Sequence, residues 1–307
     1  MSLLSLARSS KDVIKPFGET DVLLYYSVVA QKLKKFLQGK EIASKIWLPK
    51  GMPFFIKRGS KDEPLFIEDF SAITEDFFSL RKKHLKDVKE KLTKKQELIW
   101  RYFVPRKLSD FFYATNGEKP HRPIERLFFD IDRGSGVSSE HAWFVTKTLV
   151  EVMKEDIKSM PVSEPFVCWT GSSFHVFLFL DKPKPEKFYE KYFQFSKNRE
   201  APETLTEKWV LDVQEKLKNT GIRVVGGHDK RNNIINIDPS QTPSGKLCRA
   251  PFSLHMSDAK TINGVDIPLD KKMLYDSKIV SKLKAYTPNK VIKDLDKLAR
   301  NLPKKFQ

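Results

Sequence analysis

The chain has 307 residues, of which 40% are hydrophobic and 31% charged, a composition typical of a folded globular protein with a sizeable core. Its 56 Lys and Arg outweigh 39 Asp and Glu, and the resulting net charge of +17 makes nucleic acid the leading class of partner. Two cysteines and no long apolar stretch exclude a disulfide scaffold, a four-cysteine metal site and a membrane-spanning protein, so we expect a soluble protein of a reducing, intracellular compartment.

The first third of the chain predicts a helix, a pair of strands and a further helical segment. Apolar residues recur at helical spacing from about 19 to 38, before Gly39. Two short β-type runs, Glu41 to Trp47 and Pro53 to Arg58, are separated by prolines and a glycine and predict a hairpin-like pair. The segment from Glu75 to Trp100 has the composition of a helix.

The rest of the chain predicts strands without regular alternation with helices. Strands are predicted over residues 111–113, 126–132, 166–170, 174–180, 234–238 and 247–255, and a helix over 139–154. This pattern favours an α+β fold with a central mixed or antiparallel sheet flanked by helices. We expect residues 1–270 to form one domain with a helical insert at about 184–220, followed by a basic helical tail, 271–307, broken at Pro288.

Much of the positive charge is concentrated in two segments. Residues 81–107 carry 11 Lys and Arg against 3 acidic residues, a net charge of +8, and residues 271–307 have the same counts. Each segment fits either a nucleic-acid-binding surface or a solvated lysine-rich helix face.

Asp130 and Asp132 lie one residue apart at the end of the segment that begins at Arg126, and the other residues between Arg126 and Asp132 are apolar. On a strand they point to the same face, and a divalent cation would offset the cost of carrying them into an apolar setting. Asp238 repeats this pattern after three isoleucines, and three such carboxylates suit two Mg²⁺ or Mn²⁺ ions. The alternatives are solvated acids at a strand end, and a carboxylate that caps the Asp-Pro-Ser-Gln turn.

Two further segments carry donors for phosphate oxygens. In the first, Ser173 and His175 follow Gly171 and share one face of a predicted strand, although a lone histidine there also fits an apolar core. In the second, Arg249 and His255 share a face with Ser253 if residues 247–255 form one regular strand, with Lys246 as an auxiliary. The alternative for this segment is an edge strand with incidental polar groups.

Taken in order, these motifs resemble the catalytic subunit of archaeal and eukaryotic DNA primases. The family's Phe-Asp-Ile-Asp, Ser-Gly-Arg-Gly-x-His and Ile-Asp followed by Arg-x-Pro-x-Ser-Leu-His match residues 129–132, 170–175 and 237–255. Weaker similarity extends to Leu24-Tyr-Tyr26, to Lys40-Glu-Ile-Ala-Ser, to Ile56-Lys-Arg58 and to residues 104–120. The similarity thus spans most of residues 20–270.

The resemblance implies a primase-polymerase catalytic core that acts as a template-directed nucleotidyltransferase and makes short RNA or DNA primers on single-stranded DNA. Asp130, Asp132 and Asp238 would bind two Mg²⁺ or Mn²⁺ ions. The expected nucleotide-binding residues are Ser172, Ser173, His175, Arg249, His255, Lys246 and Arg58. The implied partners are template, primer, NTPs or dNTPs, and a large primase subunit.

Two departures from the family pattern stand out. The cysteine-rich zinc knuckle of many members is absent, so we expect no zinc, and Ser172 replaces an arginine of the family's turn. The alternative is a gap-filling polymerase of the kind fused to bacterial end-joining ligases, which also shows Phe-Phe-x-Lys-Arg. A metal-dependent glycosyltransferase would explain Asp-x-Asp but neither the charge nor the later motifs, and a non-catalytic nucleic-acid-binding module would not explain three retained carboxylates.

Overall fold

The computed structural model of the chain describes residues 2–10, 12–14, 21–49, 54–197, 201–229 and 231–303. The strands are β1 (Glu41–Trp47), β2 (Phe54–Lys57), β3 (Leu65–Phe66), β4 (Ser109–Ala114), β5 (Ile124–Arg133), β6 (Phe166–Trp169), β7 (Phe174–Lys184), β8 (Val224–Gly226), β9 (Ile235–Asp238), β10 (Leu247–Arg249), β11 (Leu254–Met256), β12 (Ile262–Val265) and β13 (Ile267–Leu269). The helices are α1 (Leu3–Ser9), α2 (Val22–Leu33), α3 (Glu75–Leu80), α4 (Leu85–Val88), α5 (Lys94–Tyr102), α6 (Ser139–Ile157), α7 (Glu186–Tyr192), α8 (Leu205–Leu217), α9 (Lys271–Leu274), α10 (Ile279–Lys284) and α11 (Pro288–Leu298).

These elements form two units, each with its own main sheet. Unit 1 comprises residues 1–114, 247–267 and 285–305. Unit 2 comprises residues 115–246, 268–284 and 306–307. The predicted α+β class with mixed and antiparallel sheets is confirmed. None of the helices formed by the described residues combines the length and the apolar character needed to cross a lipid bilayer.

In unit 1, α2 packs its tyrosines against the sheet. Asp21 caps the helix by accepting from the amide of Leu23 at 3.0 Å. Both Tyr25 and Tyr26 are fully buried, and the Tyr26 hydroxyl donates to the carbonyl of Ser109 at 2.6 Å, on β4. The predicted helix is confirmed over Val22–Leu33, and its residues 19 and 20 lie outside the described part of the chain.

The main sheet of unit 1 has the order β10-β4-β1-β2, with β3 also paired to β1, and its pairs are antiparallel. The predicted hairpin of β1 and β2 is confirmed, although Pro53 falls outside the described residues. The predicted helix over residues 75–100 is instead several short helices. Thr74 and Thr93 each cap a new helix start with their hydroxyl oxygens, which divides the segment.

The prediction of one regular strand over residues 247–255 is wrong. The chain forms β10 in the main sheet, turns, and then forms β11, which pairs with β12 in a separate two-stranded sheet. Pro251 lacks an amide hydrogen, and Phe252 has a φ of +66°, in the left-handed region, so neither residue continues a strand. Arg249 and His255 therefore lie on different strands, and they do not share a strand face.

The main sheet of unit 2 has the order β13-β6-β7-β5-β9-β8. The pairs from β6 to β9 are antiparallel and β8 pairs with β9 in parallel, so the sheet is mixed. One face is covered by helices, where Trp209 of α8 packs against Phe129 with ring centroids 5.9 Å apart. The predicted insert at 184–220 contains α7 and α8. Pro288 begins α11 at its first turn, where a missing amide hydrogen costs nothing.

The side chain of Asn116 ties the central strand β5 to the segment that follows β9. Its amide nitrogen donates to the carbonyls of Arg126 (2.8 Å) and Thr242 (2.6 Å), while its oxygen accepts from the amides of Glu125 (2.8 Å) and Arg126 (3.0 Å). Asn116 is only 2% exposed, and both the donors and the acceptor of its side chain are used in these hydrogen bonds. Removal of this side chain would leave several buried backbone groups unpaired.

We therefore expect Asn116→Ala to lower the free energy of unfolding by about 2–4 kcal/mol. Chemical denaturation followed by tryptophan fluorescence measures this change. Asn219→Ala, at an exposed asparagine of unit 2, serves as the control and should stay within about 0.5 kcal/mol of the parent. Equal effects of the two substitutions would contradict the role given to Asn116.

A carboxylate on α6 joins that helix to α8. Asp156 accepts from the ammonium group of Lys208 at 2.6 Å and from the indole nitrogen of Trp209 at 2.8 Å. Burial raises the pKa of Asp156, but these hydrogen bonds outweigh that effect, so its pKa lies below the usual value. Because the ammonium group is half exposed, the pair is partly screened by solvent.

Because its native pKa is lowered, Asp156 adds to the free energy of unfolding at pH values above its unfolded pKa. This contribution is lost as the pH falls through the native pKa. We expect Asp156→Asn to cost about 0.5–1.5 kcal/mol at pH 7. The difference from the parent should shrink as the pH falls below about 4, the ordinary aspartate pKa. Thermal unfolding at pH 7 and pH 3 measures it, and a difference as large at pH 3 as at pH 7 would contradict this role of Asp156.

Candidate functional site

Three polar side chains form a row across adjacent strands of unit 2. Asp130 on β5 is paired directly with His175 on β7 and with Asp238 on β9. Residues directly opposite each other in an antiparallel pair point to the same face of the sheet. Asp132 lies two residues further along β5, opposite Asn236, and so shares this face. The three carboxylates predicted from the sequence therefore lie on one face.

The exposure of this face increases along β5. Arg126 and Phe128 are buried, Asp130 has a side chain 37% exposed, and Asp132 is exposed. The ring of Phe128 meets the imidazole of His175 edge-on with centroids 4.8 Å apart. The row of polar side chains thus begins directly after the buried Phe128, and both aspartates of β5 are accessible to a ligand.

His175 has an apolar side and a polar end. The residue is 7% exposed, and its Nε2 lies 3.7 Å from Oδ1 of Asp130. The sequence left open an ordinary core histidine, but the imidazole end faces a carboxylate. When protonated, this imidazole would form an ion pair with Asp130, and it would offer a donor to an anionic ligand at the same place.

Asp238 is held by its own turn. Its two carboxylate oxygens accept from the amide and the hydroxyl of Ser240, each at 2.9 Å. The turn-capping alternative considered for this residue is thus observed, and it coexists with the position opposite Asp130. His228 adds a further contact, with Nδ1 3.9 Å from Oδ2 of Asp238. Tyr189 lies near Asp238, and its hydroxyl donates to the carbonyl of Pro239. Burial raises the pKa of Tyr189, and the negative charge of Asp238 raises it further.

Ser240, His228 and Tyr189 lie near this site, and the sequence reasoning assigned none of them to it. Ser240 had a signal, since an Asp-Pro-Ser sequence favours a turn in which the aspartate accepts from the residue two positions on. His228 had none, because its approach to Asp238 depends on the parallel pairing of β8 with β9.

The turn between β6 and β7 is fixed by hydrogen bonds of its own serines. Gly171 has a φ of +99°, a conformation that favours glycine. The hydroxyl of Ser173 donates to the carbonyl of Ile131, on the neighbouring strand β5. The carbonyl of Ser172 accepts from the hydroxyl of Ser139 at 2.8 Å, at the start of α6. These contacts attach the turn to β5 and to the start of α6, and they engage the hydroxyl proton of Ser173.

In unit 1, the guanidinium of Arg249 forms an ion pair with a buried carboxylate. It lies 3.3 Å from Oδ2 of Asp110, it donates to the carbonyl of Leu254, and it stands over the ring of Phe112 at 4.9 Å. Lys45 is directly opposite Asp110 on the neighbouring strand. Burial raises the pKa of Asp110, although Arg249 and Lys45 oppose this shift.

Arg249 could grip phosphate with two nitrogens, as predicted, only if it gave up part of its pairing with Asp110. The other predicted nucleotide-binding residues of unit 1 are Arg58, which is half-buried at the end of β2, and His255, which is half-buried opposite Gly264. In unit 2, the side chain of Lys246 is exposed, and its carbonyl accepts from the amide of Thr115 at 3.0 Å. The roles of these residues remain predictions.

The carboxylates fit a divalent cation in donor type and in strand register. Mg²⁺ and Mn²⁺ prefer carboxylate oxygens, and two like charges directly opposite each other on a sheet are destabilising without a cation. The described residues nevertheless contain no group of three or more His, Cys, Asp and Glu side chains close enough to hold a metal ion as they stand. A change in side-chain torsions, with Asp238 turning from Ser240, would bring the carboxylates together.

Comparisons with known proteins support the fold. No protein-family model and no curated protein matches the chain. Among solved structures, it is similar to the polymerase domain from Mycobacterium tuberculosis Ligase D in complex with DNA, with a TM-score of 0.56 and 16% identity over 94% of each chain. At this identity the likeness concerns the fold alone. The chain therefore has an α+β fold similar to that of this domain.

The repulsion between Asp130 and Asp238 gives a test that does not depend on any activity. We expect Asp130→Asn to raise the free energy of unfolding in EDTA by about 0.2–1 kcal/mol, because it removes one of two opposed negative charges. Thermal unfolding measures the change. Asp181→Asn, at an exposed aspartate further along β7, is the matched control and should leave the stability in EDTA unchanged. Loss of stability in Asp130→Asn would show that the repulsion from Asp238 does not outweigh the contact of Asp130 with His175.

Proposed function

We propose that this protein is a metal-dependent nucleotidyltransferase that extends a nucleic acid strand on a template. The observation that carries the proposal is the row of His175, Asp130 and Asp238 across three adjacent strands. That row lies in a chain with the fold of a polymerase domain. A net charge of +17 supports a polyanionic partner.

Of the two kinds of polymerase considered, the gap-filling repair polymerase is the better supported. The solved structure to which the chain is similar is a polymerase domain of a ligase, in complex with DNA, and the likeness covers 94% of both chains. We therefore propose DNA with a gap or a break as the substrate, and nucleoside triphosphates as the donors.

The second candidate is the catalytic subunit of a primase. It is favoured by the Arg-Ala-Pro-Phe-Ser-Leu-His sequence at residues 249–255. This candidate would bring in a large primase subunit as a partner and would need no pre-existing primer.

In the proposed mechanism, Asp130, Asp132 and Asp238 hold Mg²⁺ or Mn²⁺. When bound, the cations lower the pKa of the attacking 3′-hydroxyl and neutralise the charge on the leaving pyrophosphate. Ser240 holds Asp238 through two hydrogen bonds, and the carboxylate would turn from Ser240 to bind a cation.

His175 has a second role in the proposal. Its Nε2 lies beside Asp130, and its ring packs against Phe128 in an edge-to-face contact. A protonated imidazole in this position would donate to a non-bridging oxygen of the incoming triphosphate, next to the metal ligands. Ser173, in the turn before His175, donates to the carbonyl of Ile131 and so keeps the start of β7 close to β5.

The test of the proposal is nucleotide incorporation on a primed template with Mn²⁺ or Mg²⁺. We expect Asp130→Asn and Asp238→Asn each to lower the rate at least about 100-fold, because each removes a charge that holds the cations. Asp181→Asn is the control and should retain the parental rate. Incorporation by either site variant at the parental rate would refute the metal-ligand assignment.

The same assay separates the two kinds of polymerase. A repair polymerase should fill a gapped duplex and give no product on circular single-stranded DNA without a primer, whereas a primase should start new chains there. Efficient priming on the circle would favour the second candidate, and activity on neither template would refute both.

A further inference from the structure

The first helix of the insert, α7, reaches the turn that follows Asp238, a contact that the proposed mechanism does not use. Tyr189 lies in the middle of α7 and is 4% exposed. Its hydroxyl donates to the carbonyl of Pro239 at 3.1 Å, one residue after Asp238. A buried hydroxyl is costly unless it is hydrogen-bonded, and this carbonyl is its partner. The insert therefore contributes a main-chain contact beside one of the three predicted carboxylates.

The helix that carries Tyr189 is packed against the rest of unit 2. Phe193 directly follows α7, and its ring centroid lies 5.9 Å from that of Trp209, on α8. The ring of Trp209 in turn lies 5.9 Å from that of Phe129, on β5. The carbonyl of Phe193 accepts from the hydroxyl of Thr206 at 2.6 Å, in the first turn of α8. The end of α7 is thus attached to α8 and, through Trp209, to β5.

The carbonyl of Pro239 accepts hydrogen bonds from two different parts of unit 2. Besides the hydroxyl of Tyr189, it accepts from the amide of Thr242 at 3.0 Å. The hydroxyl oxygen of Thr242 in turn accepts from the amide of Phe128 at 2.9 Å, on β5. The turn that follows β9 is therefore held to the insert on one side and to the central strand on the other.

The hydrogen bond from Tyr189 differs in kind from those that hold the carboxylate of Asp238. Ser240 donates to the carboxylate itself, and these two bonds would break when the carboxylate turns towards a cation. The bond from Tyr189 ends on the main chain, so a turn of the Asp238 side chain leaves it intact. It therefore still restrains the backbone once Asp238 has left Ser240, and fewer orientations are open to the carboxylate.

We propose that Tyr189 is a positioning residue for Asp238. Its hydroxyl holds the carbonyl of Pro239, and so the backbone of Asp238, while the carboxylate leaves Ser240 and joins Asp130 at a divalent cation. The part played by the cation rests on the proposed function, whereas the anchoring of the turn rests on the hydrogen bonds of Pro239. Tyr189 touches neither substrate nor cation in this proposal, and it acts through Asp238.

The first experiment measures the binding of Mn²⁺ without nucleotide, from the electron paramagnetic resonance signal of the free ion. Tyr189→Phe removes the hydroxyl and keeps the buried ring. Tyr192→Phe removes the hydroxyl of a tyrosine on the same helix that is 38% exposed, and it is the matched control. We expect Tyr189→Phe to weaken binding about 3- to 10-fold, as the loss of one hydrogen bond would, and Tyr192→Phe to leave it within about twofold. Asp238→Asn should weaken binding further, because it removes a charged ligand.

These variants separate this inference from the proposed function. If Asp238→Asn weakens Mn²⁺ binding and Tyr189→Phe does not, the positioning role is refuted and the metal-ligand assignment stands. If the parent chain binds no Mn²⁺, the metal-ligand assignment is refuted, and the cation-dependent part of this inference with it. In the incorporation assay, Tyr189→Phe should lower kcat about 3- to 10-fold and leave KM for the nucleotide within about twofold. A purely structural role would lower the melting temperature and leave the affinity for Mn²⁺ unchanged.

A second measurement, in EDTA, tests the anchoring of the turn without any cation. Hydrogen–deuterium exchange of the peptide that covers residues 238–242 reports on the amide of Thr242, which donates to the same carbonyl as Tyr189. We expect exchange there to be about 3- to 10-fold faster in Tyr189→Phe and unchanged in Tyr192→Phe. Both variants should melt within about 4 °C of the parent. Exchange as slow in Tyr189→Phe as in the parent would overturn the inference, whatever the incorporation assay shows.

Discussion

The pairing of β5 with β7 on one side and β9 on the other is the constraint on which the candidate site depends. It places Asp130 opposite both His175 and Asp238, residues 45 and 108 positions further along the chain. Because the period of a strand is two, a slip of one residue in either pair would send a side chain to the other face. Asn116 and Thr242 oppose such a slip, since both form hydrogen bonds to the backbone of β5.

The candidate site is also a place where like charges lower the stability of the sheet. Two aspartates stand opposite each other on a sheet, and a histidine lies beside one of them, in a unit whose other strand positions are mostly apolar. An arrangement selected for stability alone would not place like charges in direct register. The exposed end of β5 keeps this cost moderate, because solvent still reaches both aspartates of that strand.

Unit 1 shows the contrasting use of charge. Arg249 and Lys45 are half-buried beside the buried Asp110, and Lys45 lies over the rings of Trp47 and Phe54 at 4.2 and 4.0 Å. Burial lowers the pKa of Lys45, as expected for an ammonium taken out of water. A cation in such a group is occupied, whereas Lys82 and Lys83 form no salt bridge with the residues that the structure describes. Sequence alone gives these lysines and arginines equal weight.

The sequence by itself determined the class of the fold and predicted the strands and the three carboxylates of the candidate site, whose roles stay predictions. Apolar runs with period two, ended by an aspartate, identify Asp130, Asp132 and Asp238 without reference to any partner strand. Turn chemistry would also have identified Ser240. Only the tertiary structure decided which strands pair and in which register, and hence that His228 reaches Asp238, that Arg249 is paired with Asp110, and that residues 247–255 form two strands. These features depend on contacts between residues far apart in the chain, which local spacing does not encode.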